Sequence, residues 1–364
     1  MRIWCSFLVL AGATLSSMSA SAVESRDLIQ RFGLVEAATP VSAHPGWRKP
    51  RRIVVGGMAY GLDRSLQEQF PEVEFISSDS AEFAHKAAEA DAVLGVCSRD
   101  LLAAGKSIRW IQTLNAGVED CVAVPAVRER NILLTNMQRV TGPVMAEHTI
   151  GMLLVLTRGL DSSLAAQSDG RWGGRPARPR IAISGKTMLV VGLGGIGTEV
   201  AQRAHALGMR VIATRNSGRT GPEFVSYVGL PNELHTLAAQ ADVIVNTAPL
   251  TRETTDLFDA AFFSKMQRTA YFINVARGGS VVTSALVDAL SSQRIAGAAL
   301  DVTDPEPLPA DHALWRAPNL LITPHVSNDS DLGMEARLEV LRENVRRYIA
   351  GEKMLSVVDV SRGY

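Results

Sequence analysis

Cysteine is scarce: Cys5, Cys97 and Cys121 are the whole complement in 364 residues. Three thiols cannot build the disulfide framework of a small secreted scaffold, and their spacing lacks the paired clusters of a zinc site, so no metal is expected. Cys97 and Cys121 read as ordinary strand and loop residues. Net charge is equally absent, since 37 Lys plus Arg balance 37 Asp plus Glu. That balance removes the global electrostatic case for a nucleic-acid or anionic-membrane binder. No apolar run reaches the roughly 20 residues of a membrane-spanning helix, and no repeat or low-complexity tract stands out. What remains is ordinary globular usage, 46% hydrophobic and 20% charged. At roughly 150 residues per domain the length implies two or three domains stabilised by conventional cores.

The N-terminus is set apart from those cores. Arg2 leads into an apolar run, residues 3–15, and then into small residues ending Ala20-Ser21-Ala22. These are the three parts of a secretory leader, residues 1–22, cleaved before Val23, and they imply an exported mature protein, periplasmic or secreted, with no membrane attachment. The same residues also allow an organellar transit segment, or a cytoplasmic protein with a misassigned start. Residues 40–52 carry Pro40, Pro45, Gly46 and Pro50 and read as a linker ahead of the first folded element.

Short β-branched runs then alternate with longer helical patterns. Residues 52–56, 73–77, 92–96, 110–114 and 132–135 form one set of strands, and 187–191, 211–214, 243–247, 270–275, 298–302 and 320–323 a second. Alternation of this kind belongs to parallel strands joined by helical crossovers, so the fold class is α/β, two doubly wound parallel-sheet domains in tandem. Residues 144–158 read as a helix crossing from one to the other, 170–179 as an exposed connection, and 332–349 as a C-terminal helix returning to the first domain. The expected division is one domain of residues 45–147 plus 327–364, with a second, 148–326, inserted within it.

The second domain opens on a motif with mechanical content. Gly192-Leu193-Gly194-Gly195-Ile196-Gly197 follows an apolar strand directly and begins a stretch in which Ile196, Val200, Ala204 and Leu207 share one helical face. Gly192 permits the tight turn, Gly194 lets the backbone approach a pyrophosphate, and Gly197 lets helix and strand pack closely. The helix N-terminus at Gly195 and Ile196 presents free N–H groups to that anion. Strand before and helix after turn a weak pattern into a dinucleotide site. Where an acid would accept a bond from the ribose 2′-OH, the second strand ends in Thr214-Arg215-Asn216-Ser217-Gly218-Arg219. An Arg fork binds a 2′-phosphate and Ser217 can donate to it, so NADP(H) is expected over NAD(H).

Ligands of open parallel sheets bind outside the carboxyl ends of the strands, which filters the catalytic candidates. Arg277 follows one strand, Glu306 another in the turn Asp304-Pro305-Glu306-Pro307, and His325 a third at Thr323-Pro324-His325. Hydride exchange at a carbonyl needs an acid or base that changes charge near neutrality, and histidine is that side chain. Glu306 is suited to orient its ring. A fixed cation must hold an anionic substrate and polarise its carbonyl, and the fork of Arg277 fits.

The chain from about Arg52 onward resembles the D-isomer-specific 2-hydroxyacid dehydrogenase family. The resemblance rests on Asn115-Ala116-Gly117-Val118-Glu119, Ala146-Glu147-His148, the glycine motif, Asn246-Thr247-Ala248-Pro249-Leu250-Thr251, Asn274-Val275-Ala276-Arg277-Gly278-Gly279, Ala299-Leu300-Asp301-Val302 with Glu306-Pro307-Leu308, and Thr323-Pro324-His325. It implies a flavodoxin-like substrate domain and a Rossmann nucleotide domain facing each other across a cleft. It also implies Arg277, Glu306 and His325 as the catalytic set, a substrate carboxylate held by Arg277 and by the loop Asn115, Ala116 and Gly117, and a homodimer. Thr247, Ala248, Pro249, Val275, Ala276 and His325 would line the cofactor, with Asp301 beside its nicotinamide amide. Arg215 resembles the NADPH-preferring glyoxylate and hydroxypyruvate reductase branch, so the expected reaction is reduction of a small 2-keto acid. The alternatives are an NAD-dependent member acting on another 2-hydroxy acid, and a non-catalytic cofactor-sensing regulator of the same fold.

Overall fold

The computed structural model describes residues 20–59, 61–79, 83–173, 179–331 and 333–364. The expected leader therefore falls outside the described residues up to position 19, as do positions 174–178 of the expected 170–179 connection.

Two parallel sheets organise the chain. The first holds β1 (Arg52–Val55), β2 (Glu74–Ser77), β3 (Ala92–Leu94), β4 (Trp110–Gln112) and β5 (Leu133–Thr135) in the order β2-β1-β3-β4-β5, the flavodoxin arrangement. The second holds β6 (Thr187–Val191), β7 (Arg210–Thr214), β8 (Tyr227–Gly229), β9 (Val243–Asn246), β10 (Tyr271–Asn274), β11 (Gly297–Leu300) and β12 (Leu320–Ile322) in the order β12-β11-β10-β9-β6-β7-β8. Its chain order reverses between β6 and β9, which opens the crevice where dinucleotides bind. Every pair in both sheets is parallel, and the inner strands β1, β3, β6, β9, β10 and β11 are buried nearly throughout. Helices on both faces explain why these strands read as continuous Val/Ile/Leu/Ala runs rather than alternating ones.

β8 escapes the sequence reading. Tyr227–Gly229 is three residues long, starts on an exposed Tyr and ends on Gly, so it carries neither alternation nor a β-branched run. It pairs with β7 in register Ile212 to Tyr227 and thereby adds an edge beside the loop that begins at Arg215.

The helix Gly142–Arg158 crosses between the two units, its Met152, Leu153 and Leu156 packed with Val190, Val200 and Ile273 of the second. The helix Gly333–Ala350 returns to the first sheet, where Tyr348 stacks on Trp110 with ring centroids 4.5 Å apart and Asn344 Nδ2 donates to Gln112 Oε1 at 2.7 Å.

Two expectations are corrected. Residues 40–52 are no free linker: Val41 is buried with Leu28, Leu34 and Tyr348, and its N–H donates to the carbonyl of Glu352 at 2.8 Å. Proline density marks where the backbone turns, and it carries no information about burial. Cys97 and Cys121 are bonded to each other, with Cα atoms 5.5 Å apart. Their 24-residue separation hid a contact that parallel topology creates, since the loop after β3 and the loop after β4 leave the same sheet edge.

Candidate active site

Two buried asparagines shape the loops at the centre of the second sheet. Asn246 and Asn274 end β9 and β10 side by side and have no exposed surface. Nδ2 of Asn246 donates to Oδ1 of Asn274 at 3.0 Å and to the Ser280 hydroxyl oxygen at 2.9 Å. Their own oxygens accept the backbone N–H groups of Ala248 and Ala276, each at 3.1 Å. Asn274 Nδ2 and the Ser280 hydroxyl then both donate to the carbonyl of Arg277, at 2.9 and 2.7 Å. Buried amides are stable in such a place because every polar atom finds a partner. The network sets the path of both loops, Thr247-Ala248-Pro249 and Val275-Ala276-Arg277.

The glycine loop fits a dinucleotide on its own geometry. Gly192 has φ of +92°, and a Cβ there would lie 2.7 Å from the Cα of Ala248. A Cβ on Gly197 would lie 2.2 Å from the carbonyl oxygen of Gly192, whereas one on Gly194 would point into open space. Turn, close packing and free approach thus fall on the three glycines whose mechanics require them. Behind them the helix Gly195–Ala206 presents its N-terminus.

At the adenosine end the structure separates two arginines that look equivalent in sequence. Arg219 forms an ion pair with Glu233 at 2.8 Å and donates to the Tyr227 hydroxyl at 2.9 Å. Glu233 also accepts from the Leu230 N–H and from Tyr227, and these partners together with Arg219 pull its carboxyl down to about 2. It is therefore charged throughout the neutral range and holds Arg219. Among the described residues the Arg215 side chain makes a single hydrogen bond, from Nη1 to the Thr220 carbonyl at 3.0 Å. Asn216 Nδ2 reaches the hydroxyl of Tyr364 at 3.4 Å. Tyr227 lies on β8 and Glu233 in the turn Pro231–Glu233 just after it, and neither is marked in the sequence because that edge strand leaves no pattern there.

At the opposite end, His325 Nδ1 lies 2.7 Å from Glu306 Oε1, both side chains well exposed to the cleft. His325 takes φ of +56°, an uncommon conformation for a residue with a Cβ that the surroundings must hold in place. Asp301 does so: its carboxylate accepts the Val326 N–H at 3.0 Å, the Ser327 N–H at 3.1 Å and the Thr323 hydroxyl at 2.6 Å, while its carbonyl accepts the His325 N–H at 2.8 Å. Burial pushes the Asp301 carboxyl up, but these donors outweigh it and hold the group below its ordinary value. Its side chain has no exposed surface, so in this structure it braces the histidine turn from behind. His148 Nε2 stands 3.1 Å from the Thr323 hydroxyl oxygen. Because that hydroxyl donates to Asp301, His148 supplies the proton of this contact and ties the crossing helix to the same turn.

Arg277 reaches across to the first unit. Its Nε lies 3.2 Å from Glu119 Oε1 and its Nη2 donates to Glu119 Oε2 at 3.3 Å, while Nη1 donates to the Ala276 carbonyl at 2.7 Å. The guanidinium passes directly over Gly117, where a Cβ would come within 1.6 Å of Nη2. The carbonyls of Asn115 and Ala116 accept from the Met137 N–H at 3.1 Å and Asn136 Nδ2 at 2.7 Å, yet the N–H groups of Ala116 and Gly117 donate to nothing among the described residues. Unpaired backbone donors beside a half-buried guanidinium form a receptor for a carboxylate. The expected residues thus follow the carboxyl ends of the second sheet's strands, His325, Glu306 and Arg277 after β12, β11 and β10 with Gly117 of the first unit against Arg277, Arg215 to Arg219 after β7, and the glycine loop between them after β6. Glu119, quoted in a motif, had no role assigned from sequence.

The family model for the NAD binding domain of D-isomer specific 2-hydroxyacid dehydrogenases matches residues 150–327. The chain is 32% identical over 268 residues to the glyoxylate reductase of Thermofilum pendens, covering 71% of this chain and 77% of the relative. It is 33% identical over 269 residues to the human glyoxylate reductase/hydroxypyruvate reductase, covering 72% and 80% respectively. Among solved structures, the NADPH-dependent glyoxylate/hydroxypyruvate reductase of Sinorhizobium meliloti in complex with NADP and malonate superposes with a TM-score of 0.72 at 28% identity, over 86% of this chain and 98% of that one.

The crossing of Arg277 over Gly117 yields a steric prediction. Gly117→Ala should drive the guanidinium from its place and lower kcat/KM by about a hundredfold. The melting temperature should hardly move, because Gly117 needs no left-handed backbone. Full activity in this variant would show that Arg277 works from some other position.

Proposed function

Because the chain belongs to the D-isomer-specific 2-hydroxyacid dehydrogenase family and is an NAD(P)-dependent oxidoreductase, we propose that it reduces a small 2-keto acid, glyoxylate or hydroxypyruvate, with NADPH. The observation that carries the reading is the convergence of a carboxylate-paired histidine, a cross-cleft arginine and two unpaired backbone N–H groups at the strand ends of the nucleotide-binding sheet. Bound cofactor supplies the hydride. The chain's own groups do the rest. Glu306 occupies Nδ1 of His325, leaving Nε2 to meet the substrate oxygen and deliver its proton as the alcohol forms. The carboxylate rests on Arg277 and on the Ala116 and Gly117 amides, which fixes the carbonyl relative to both hydride and proton. Contact between Arg277 and Glu119 draws the two units together over the substrate and excludes water.

His325→Asn keeps the ring's approximate size without its acid and should lower kcat by about 10² to 10⁴. Ketones lacking the adjacent carboxylate should turn over poorly, and acetaldehyde reduced as efficiently as glyoxylate would end the anion-binding reading.

Cofactor preference is proposed to rest on Arg215 alone. Arg219 turns both terminal nitrogens onto Glu233 and Tyr227, whereas Arg215 gives one bond to the Thr220 carbonyl and keeps its other donors for a 2′-phosphate. A charge-assisted contact of this kind is worth roughly 1.5–3 kcal/mol. Arg215→Ala should therefore raise KM for NADPH by about tenfold to a hundredfold and leave NADH almost unchanged, with a clearly smaller effect from Arg219→Ala. Equal weakening of both cofactors would remove Arg215 from the phosphate site.

We further propose export, supported by the leader pattern and by the Cys97–Cys121 bond, which persists in oxidising compartments. N-terminal sequencing of protein from its source should begin at Val23, and thiol titration of that protein under denaturing conditions should find no free cysteine. A chain starting at Met1 with reduced thiols would overturn export. A homodimer is proposed through the exposed apolar residues Leu160, Leu164 and Trp172, and light scattering should return twice the chain mass.

A further inference from the structure

Among the described residues, the guanidinium of Arg277 is paired with the carboxylate of Glu119, and His325 with that of Glu306. Arg277 has five N–H donors. Glu119 accepts one from Nη2 and stands 3.2 Å from Nε as its ion-pair partner, and the Ala276 carbonyl takes one on Nη1. Two remain, one on each terminal nitrogen, which is the capacity for a single further carboxylate. Glu119 is held where it stands. It begins the helix Glu119–Val122, whose Cys121 is bonded to Cys97, and its carbonyl accepts the Ala123 N–H at 2.9 Å. Arg277 is held as firmly, since its carbonyl is gripped by Asn274 and Ser280 and the turn after it lies so close to Thr303 that a Cβ on Gly278 would come within 1.9 Å of the Thr303 carbonyl oxygen.

We propose that Glu119 is a charge-selectivity residue: seated on the Nε and Nη2 edge of Arg277, its carboxylate admits substrates with one anionic group and turns away those that carry a second. The inference rests on the 2-keto acid reading above and names the substrate class within it, compact monoanionic 2-keto acids rather than dicarboxylic or phosphorylated ones. The physical basis is the sum of two effects. A second anionic group finds the other edge of the guanidinium already filled, and it faces the negative charge of Glu119 held on that edge. A monoanion meets the two free donors and the unpaired amides of Ala116 and Gly117, which together supply hydrogen bonds to its carboxylate oxygens.

Oxalate and oxamate share a planar shape and differ by one negative charge, so they read charge selectivity without turnover. Each is titrated against the enzyme–NADPH complex by quenching of the reduced cofactor's fluorescence. In Glu119→Gln the ratio of dissociation constants, oxalate over oxamate, should fall about tenfold relative to wild type, with oxamate itself shifting much less. Glu119→Asp keeps the charge and should keep the wild-type ratio, which separates charge from shape. An unchanged ratio in the Gln variant, equal tightening of both ligands, or the same change in the Asp variant would overturn the proposal. Turnover of glyoxylate by the wild type is scored separately. If no 2-keto acid is reduced while the ratio still shifts, the functional reading falls and the role of Glu119 in anion selection stands.

Discussion

The buried carboxylate of Asp301 is the constraint on which the site depends. It has no access to solvent, and three donors from Thr323, Val326 and Ser327 satisfy it. An ionised group in such a place is tolerated because hydrogen bonds replace the water it gave up. Those donors belong to the turn that carries His325, so satisfying the charge and setting the left-handed backbone of the histidine are one event. Thr323 extends the arrangement to His148 on the crossing helix. The strand end, the proton-bearing ring and the helix that joins the two units therefore share a single anchor.

A comparable economy governs Arg277. Its main chain is fixed from the second sheet by Asn274 and Ser280, and its side chain is fixed from the first unit by Glu119. Both units orient the guanidinium, the second through the Ala276 carbonyl on Nη1 and the first through Glu119 on Nη2. One side chain therefore bridges the two units, and it does so over Gly117, where a Cβ would collide with it.

The fold was largely legible because parallel strands buried on both faces announce themselves as short apolar runs, and the glycine motif fixed the start of the second sheet. The edge strand β8 was not, since Tyr227–Gly229 has neither the length nor the composition of a buried strand. With it went Glu233, and with Glu233 the distinction between Arg215 and Arg219. The strand-end filter found Arg277, Glu306 and His325, and the structure places Glu306 on His325. It could not find Glu119, because a partner that arrives from another sheet leaves no local pattern, nor could it pair Cys97 with Cys121 for the same reason. The segment at residues 40–52 misled in the other direction, its prolines suggesting exposure where Val41 is core.

The first unit is assembled from both ends of the chain. Leu28 and Leu34 share a core with Val340, Val345 and Leu355, Ser25 is bonded by Arg347, and Val35 accepts the N–H of Ser356 at 2.9 Å. The second sheet, by contrast, is complete once residue 322 has been made. During synthesis the nucleotide-binding unit can therefore fold while the unit that precedes it in sequence still waits for its closing helix. Residues 25–41 find their core partners on the helix Gly333–Ala350 and the segment after it only when the ribosome has delivered nearly the whole chain, so the first unit closes last although its sequence comes first.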